Sequence, residues 1–131
     1  MALNAPELKK TQLLIVLSGP SGAGKDSVVR LLLERETELV FVVTTTTRPM
    51  REDEKQGFDY FFVARDEFAR MVESDEFIEH AVVYGEHKGV TRKEVKAALE
   101  SGRDAVLRVD VQGAARIKQI YPSALLIFLT P

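Results

Sequence analysis

Between Gly19 and Asp26 the 131-residue chain reads Gly-Pro-Ser-Gly-Ala-Gly-Lys-Asp. The spacing of Gly19, Gly24 and Lys25 fits G-x-x-x-x-G-K, the P-loop that cradles phosphate groups. Glycine lets successive backbone N–H groups converge on phosphate oxygens with no Cβ in the way. Pro20, Ser21, Gly22 and Ala23 complete the loop, and Lys25 places a flexible point charge on the outer phosphates. The motif puts a Ser or Thr hydroxyl after the lysine to hold magnesium; here Asp26 stands there, with Ser27 one place later. A carboxylate is a hard oxygen ligand, so phosphate binding is expected to persist while the metal geometry changes.

Other residues have suggestive types with more than one reading. Arg48 and Arg51 stand on either side of Pro49, as a bidentate phosphate clamp or as surface arginines of a solvated loop. Tyr60, taken alone, is a strand aromatic. Glu79 follows an apolar segment and is either a surface acid at the end of an element or a functional one. Asp110 closes an apolar strand, the place where P-loop proteins hold a magnesium-linked water. Thr44 to Thr47 are explained by β-branching. His80 and His87 have no partner at metal-ligand spacing and read as structural or surface residues. Without cysteine, disulfides, thiolate zinc sites and cysteine nucleophiles are excluded together.

These side chains need a scaffold, and the chain has the composition of a globular domain, 45% hydrophobic and 29% charged. A net charge of −2 gives no reason to expect a nucleic-acid duplex or an acidic membrane as partner. No secretory signal or membrane span is visible, so the expected compartment is the cytoplasm. The run Leu13–Leu17 predicts a buried strand before the loop, and Val28 to Leu33 an apolar helix after it. Leu39 to Val43 predicts the next strand of a βαβ unit. The texture then changes: a polar loop, a strand over Phe58–Val63, and a short helix capped by Asp66. A hairpin follows, with Gly85-Glu86 as its two-residue turn. Thr91 and Glu94 form a capping box, and Gly102 ends that helix. Ala105–Val109 is a strand, a helix from about Gly113 stops at Pro122, and Ala124–Leu129 is a last strand. Residues 1–43 and 91–131 thus read as a P-loop core, and 44–90 as a small inserted α+β subdomain.

Five blocks together resemble guanylate kinase, in the family's order and spacing. They are Ser18–Lys25, Thr45–Arg51, Gly57–Val63, Phe77–Ala81 and Val109–Gly113. The Gly-Lys-Asp loop variant and the segment Tyr84–Gly89 resemble the bacterial or organellar branch. The resemblance implies an α/β fold, a parallel sheet of the P-loop nucleoside monophosphate kinase type flanked by helices. It implies transfer of the ATP γ-phosphoryl group to GMP, with magnesium as cofactor and ATP and GMP as partners. Lys25, Arg48 and Asp110 would then be catalytic, and Gly19 to Ser27 would hold the ATP phosphates. Arg48, Arg51 and Tyr60 would grip the GMP phosphate, Thr44 and Glu79 would face guanine, and Asp110 would mark the guanine and metal end. Lys88 stands where many relatives have a phosphate-touching tyrosine, Val90 replaces a hydroxyl residue, and Arg108 replaces an acid. The family's lid and closing helices are not among these residues, so the expectation is a truncated form with impaired catalysis. A non-catalytic guanylate-kinase-like interaction module is the alternative; such modules typically erode the P-loop lysine or glycines, which are kept here. A phosphotransferase acting on a non-nucleotide phosphate is a weaker one.

Overall fold

The computed structural model describes residues 5–7, 12–19 and 39–129. Most of the P-loop and the helix expected after it lie outside these residues. β1 (Leu14–Ser18) is the apolar run predicted from sequence. It is sandwiched between β7 (Asp104–Arg108) and β8 (Leu125–Phe128), parallel to both, and β2 (Leu39–Phe41) adds to the far side of β7. The strand order is therefore β2-β7-β1-β8. β1 is covered on both faces, with Leu14 and Val16 in one core and Leu17 in the other, which is why it is continuously apolar rather than alternating. Leu14 and Val16 point into the larger core with Ala105 and Leu107, while Leu17 and Val106 point into a smaller one on the opposite face.

Two helices cover the larger core. α2 (Arg92–Glu100) starts at Thr91, whose hydroxyl accepts the Glu94 N–H as the capping box predicts, and buries Val95, Ala98 and Leu99. α3 (Val111–Ile120) starts at Asp110, whose side chain accepts the Gly113 N–H, and buries Gly113, Ala114 and Ile117. The acid expected at the end of a strand is thus also a helix cap.

The second sheet is mixed, in the order β4-β3-β6-β5. It comprises β3 (Thr45–Thr46), β4 (Phe61–Phe62), β5 (Phe77–Val83) and β6 (Glu86–Thr91), with α1 (Arg65–Glu73) between β4 and β5. Three local expectations shift. The strand expected over 58–63 contracts to β4, because Asp59 turns its carboxylate to the Lys55 N–H and Gly57 donates to the Tyr60 carbonyl, closing a loop. The α1 cap is Ala64 rather than Asp66, whose side chain accepts from Glu67 instead. The hairpin turn is Tyr84-Gly85, with Val83 facing Glu86, one residue earlier than expected. Both turn residues have positive φ, 52° and 77°, as a type I′ hairpin turn requires.

Candidate functional site

The site is built where the second sheet meets the start of α3. Between Phe77 and Glu79 the β5–β6 ladder slips, so that Phe77 faces Thr91 and Glu79 faces Val90. Such a bulge re-aims the side chain that follows it. Glu79 points inward and is only 5% exposed. Its carboxylate lies against Gly113, where a Cβ would come within 2.9 Å of Oε2 and 3.0 Å of Asp110 Oδ1. Glycine at 113 therefore makes the space that lets the two acids share one corner. Burial, and then the neighbouring Asp110 charge, push the Glu79 carboxyl above its usual range, while Arg116 opposes the shift. The Arg116 guanidinium, 46% exposed, forms an ion pair with Glu79 Oε1 and also donates to the His80 carbonyl at 3.0 Å.

A second cluster gathers on Tyr60, which is 7% exposed. The Arg48 guanidinium lies 5.0 Å from the ring centroid, the Arg108 guanidinium 4.6 Å and the Lys88 ammonium 5.8 Å. Each cation is placed by a different element: Arg48 beyond β3, Lys88 on β6 and Arg108 at the end of β7. Arg48 is held by two parallel hydrogen bonds to Glu54, of 2.9 and 2.7 Å. The Glu54 carboxyl is thereby lowered to about 2, first by the Arg48 hydrogen bonds and, less strongly, by the Arg51 N–H. Arg51 itself is exposed, and its backbone N–H donates to Glu54 at 2.7 Å. Arg108 reaches across to the Asp59 carbonyl at 2.5 Å. Three cations gathered on one aromatic ring are chemically suited to an anionic group such as a phosphate monoester.

Of the remaining residues named from sequence, Thr44 is buried and its hydroxyl donates to the Arg108 carbonyl at 3.4 Å. Val90 is a core residue, 1% exposed. Gly19 is needed for close approach, since a Cβ there would sit 2.5 Å from the Leu129 carbonyl oxygen. Pro20, Ser21, Gly22, Ala23, Gly24, Lys25, Asp26 and Ser27 lie outside the described residues. Among the described residues no three His, Cys, Asp or Glu side chains gather around a point that would hold a metal ion. Asp110 has one oxygen committed to the Gly113 N–H, so the described residues do not by themselves make a magnesium site. Sequence reasoning missed Glu54 and Arg116. The only signal for Arg116 was its place three residues after Gly113, on one face of the helix.

The comparisons with known proteins agree with one another. A family model described as "Guanylate kinase" matches residues 11–131. A guanylate kinase of Caldanaerobacter subterraneus subsp. tengcongensis is 44% identical over 124 residues, covering 95% of this chain and 60% of that protein. The chloroplastic/mitochondrial guanylate kinase 2 of Oryza sativa subsp. japonica is 47% identical over 118 residues, covering 89% of this chain and 41% of that protein. The crystal structure of guanylate kinase from Anaplasma phagocytophilum superposes with a TM-score of 0.80 at 38% identity, covering 95% of this chain and 62% of that one. The chain thus spans 60% or less of the length of these two curated relatives.

Proposed function

The chain belongs to the guanylate kinase family, and on that footing we propose that it is the ATP-loop and GMP-binding part of an enzyme that converts ATP and GMP to ADP and GDP. Its fold is the family's P-loop α/β arrangement, with a parallel sheet flanked by helices. The observation that carries the reading is the buried Glu79 carboxylate at the start of α3. Guanine presents N1–H and N2–H side by side as donors, and one carboxylate accepts both. Adenine presents an acceptor at N1, so the same acid rejects it at a cost of about 1–3 kcal/mol for the unpaired group. Thr44 and Asp110 complete the base end, while Arg48, Arg51, Tyr60 and Lys88 take the GMP phosphate. Residues 44–90 form the GMP-binding insert in this reading, and the cytoplasm is its compartment.

In the transfer, a GMP phosphate oxygen attacks the γ-phosphorus of ATP, the bond to the β–γ bridging oxygen breaks, and ADP leaves. Alignment and charge stabilisation carry the step rather than a general base. Arg48 neutralises the GMP phosphate as it approaches, and Lys25 and the loop amides hold the ATP phosphates. Asp26 and, through water, Asp110 would hold magnesium bound with ATP, which would offset the charge on the transferring phosphoryl group.

Binding of Glu79→Gln tests the assignment. The amide turns a donor toward the guanine donors, so GMP affinity should fall by about tenfold to a few hundredfold, while a non-hydrolysable ATP analogue binds as before. Equal losses for both ligands, or a parent protein that binds AMP as well as GMP, would refute it.

A further inference from the structure

The Arg116 guanidinium is the one described cation paired with the base-facing carboxylate, and it comes from outside the second sheet. We infer that Arg116 is a positioning residue for guanine recognition: anchored on the His80 carbonyl, it fixes the orientation of Glu79 so that the remaining lone pairs face the base. The inference rests on the reading of Glu79 given above.

The geometry argues for a held partner rather than a passing surface ion pair. One Arg116 nitrogen reaches both Glu79 Oε1 and the His80 carbonyl, so two points of β5 fix the guanidinium. Oε2 is confined on the other side by Gly113, within contact distance of where a side chain there would begin. The carboxylate is therefore gripped at one oxygen and walled at the other. β6 sets an apolar residue, Val90, opposite it. Among the described residues, the charged groups acting on it are Arg116 and Asp110. An ionised carboxylate has about four lone-pair directions, so the arginine uses one and leaves enough for the two guanine donors. Without Arg116, the like charge of Asp110 is left unopposed, and among the described residues the Glu79 side chain keeps no other hydrogen bond to hold its terminal torsion.

Titration calorimetry of GMP, AMP and a non-hydrolysable ATP analogue against the full chain tests this. Arg116→Ala should weaken GMP by about tenfold, the scale for losing a partner that orients a ligand, and should narrow the preference for GMP over AMP. The ATP analogue should be unaffected. Arg116→Lys should recover part of the loss, because an ammonium keeps the positive charge beside Glu79 without the guanidinium's second contact to the His80 carbonyl. Adding Arg116→Ala to Glu79→Gln should cost nothing further, since the arginine acts only through that carboxylate. A purely structural tie between α3 and β5 would lower the melting temperature and leave the GMP-to-AMP ratio unchanged, which overturns the inference. So would a variant that binds GMP more tightly, showing that Arg116 competes with the base. If the parent chain shows no preference for GMP, the reading of Glu79 falls first and this inference with it.

Discussion

Gly113→Ala separates stability from recognition in one substitution. The added methyl would lie 2.9 Å from Glu79 Oε2 and 3.0 Å from Asp110 Oδ1. Ordinary C···O contacts are about 3.3–3.6 Å, so the carboxylate must retreat by about half an ångström. Gly113 is the third residue of α3, where alanine favours the helix by about 0.5–1 kcal/mol. That gain offsets much of the cost of moving the Glu79 carboxylate, which ends a side chain, and of loosening the Asp110 cap on the Gly113 N–H, whose Oδ1 must shift by a few tenths of an ångström. Urea denaturation should therefore find the variant within about 1 kcal/mol of the parent. Recognition has no such compensation. Displacing the carboxylate weakens its charge-assisted hydrogen bonds to the two guanine donors, so GMP affinity should fall by about tenfold. The assay is GMP titration with a non-hydrolysable ATP analogue as control. Unchanged GMP affinity would refute the placement of Glu79 at the base, and a parallel loss of both ligands would show that the damage is not local.

The Arg48–Glu54 pair, with side chains 10% and 8% exposed, should make the loop around Tyr60 sensitive to acid. Because the Glu54 carboxyl is lowered from 4.5 to about 2 in the fold, its contribution is complete above pH 4.5 and is lost as pH falls toward 2. Allowing for solvent screening in a loop, that contribution is about 1–2 kcal/mol. The stability difference between the parent and Glu54→Gln should shrink over that window, and a difference independent of pH would contradict the pairing. Thr91→Ala removes the acceptor for the Glu94 N–H at the start of α2 and should cost about 1 kcal/mol by chemical denaturation, with GMP binding nearly unchanged.

What could be read from the chain follows from how local each cause is. β1 is legible because a strand covered on both faces is apolar throughout, and the start of α2 because Thr91 and Glu94 are three residues apart. The hairpin turn was misplaced by one residue because Tyr84 adopts positive φ without being glycine, which no local preference announces. The strand over 58–63 shortens to β4 because Asp59 and Gly57 form their own loop contacts, which compete with a ladder. At the site, Glu79 and Asp110 were visible as acids out of place beside apolar runs. Their counter-ion was not, since Arg116 is 37 residues from Glu79 and only the packing of α3 on β5 brings them together. Arg108 stands out in the sequence only as a departure from the family's acid; its guanidinium lies 4.6 Å from the Tyr60 ring centroid, beside Arg48 and Lys88.

The stretch from Arg108 to Arg116 touches the inserted sheet at both ends, through the Asp59 carbonyl and Tyr60 ring at one and through Glu79 at the other. Those nine positions behave as a caliper, setting the reach from one grip to the other by covalent connectivity alone. Inserting a single residue inside α3 ahead of Arg116 would turn the following helix by about 100°, carrying the far jaw away while the near jaw stays put. The Arg108 contacts to Asp59 and Tyr60 would remain while the Arg116 grip on Glu79 was lost.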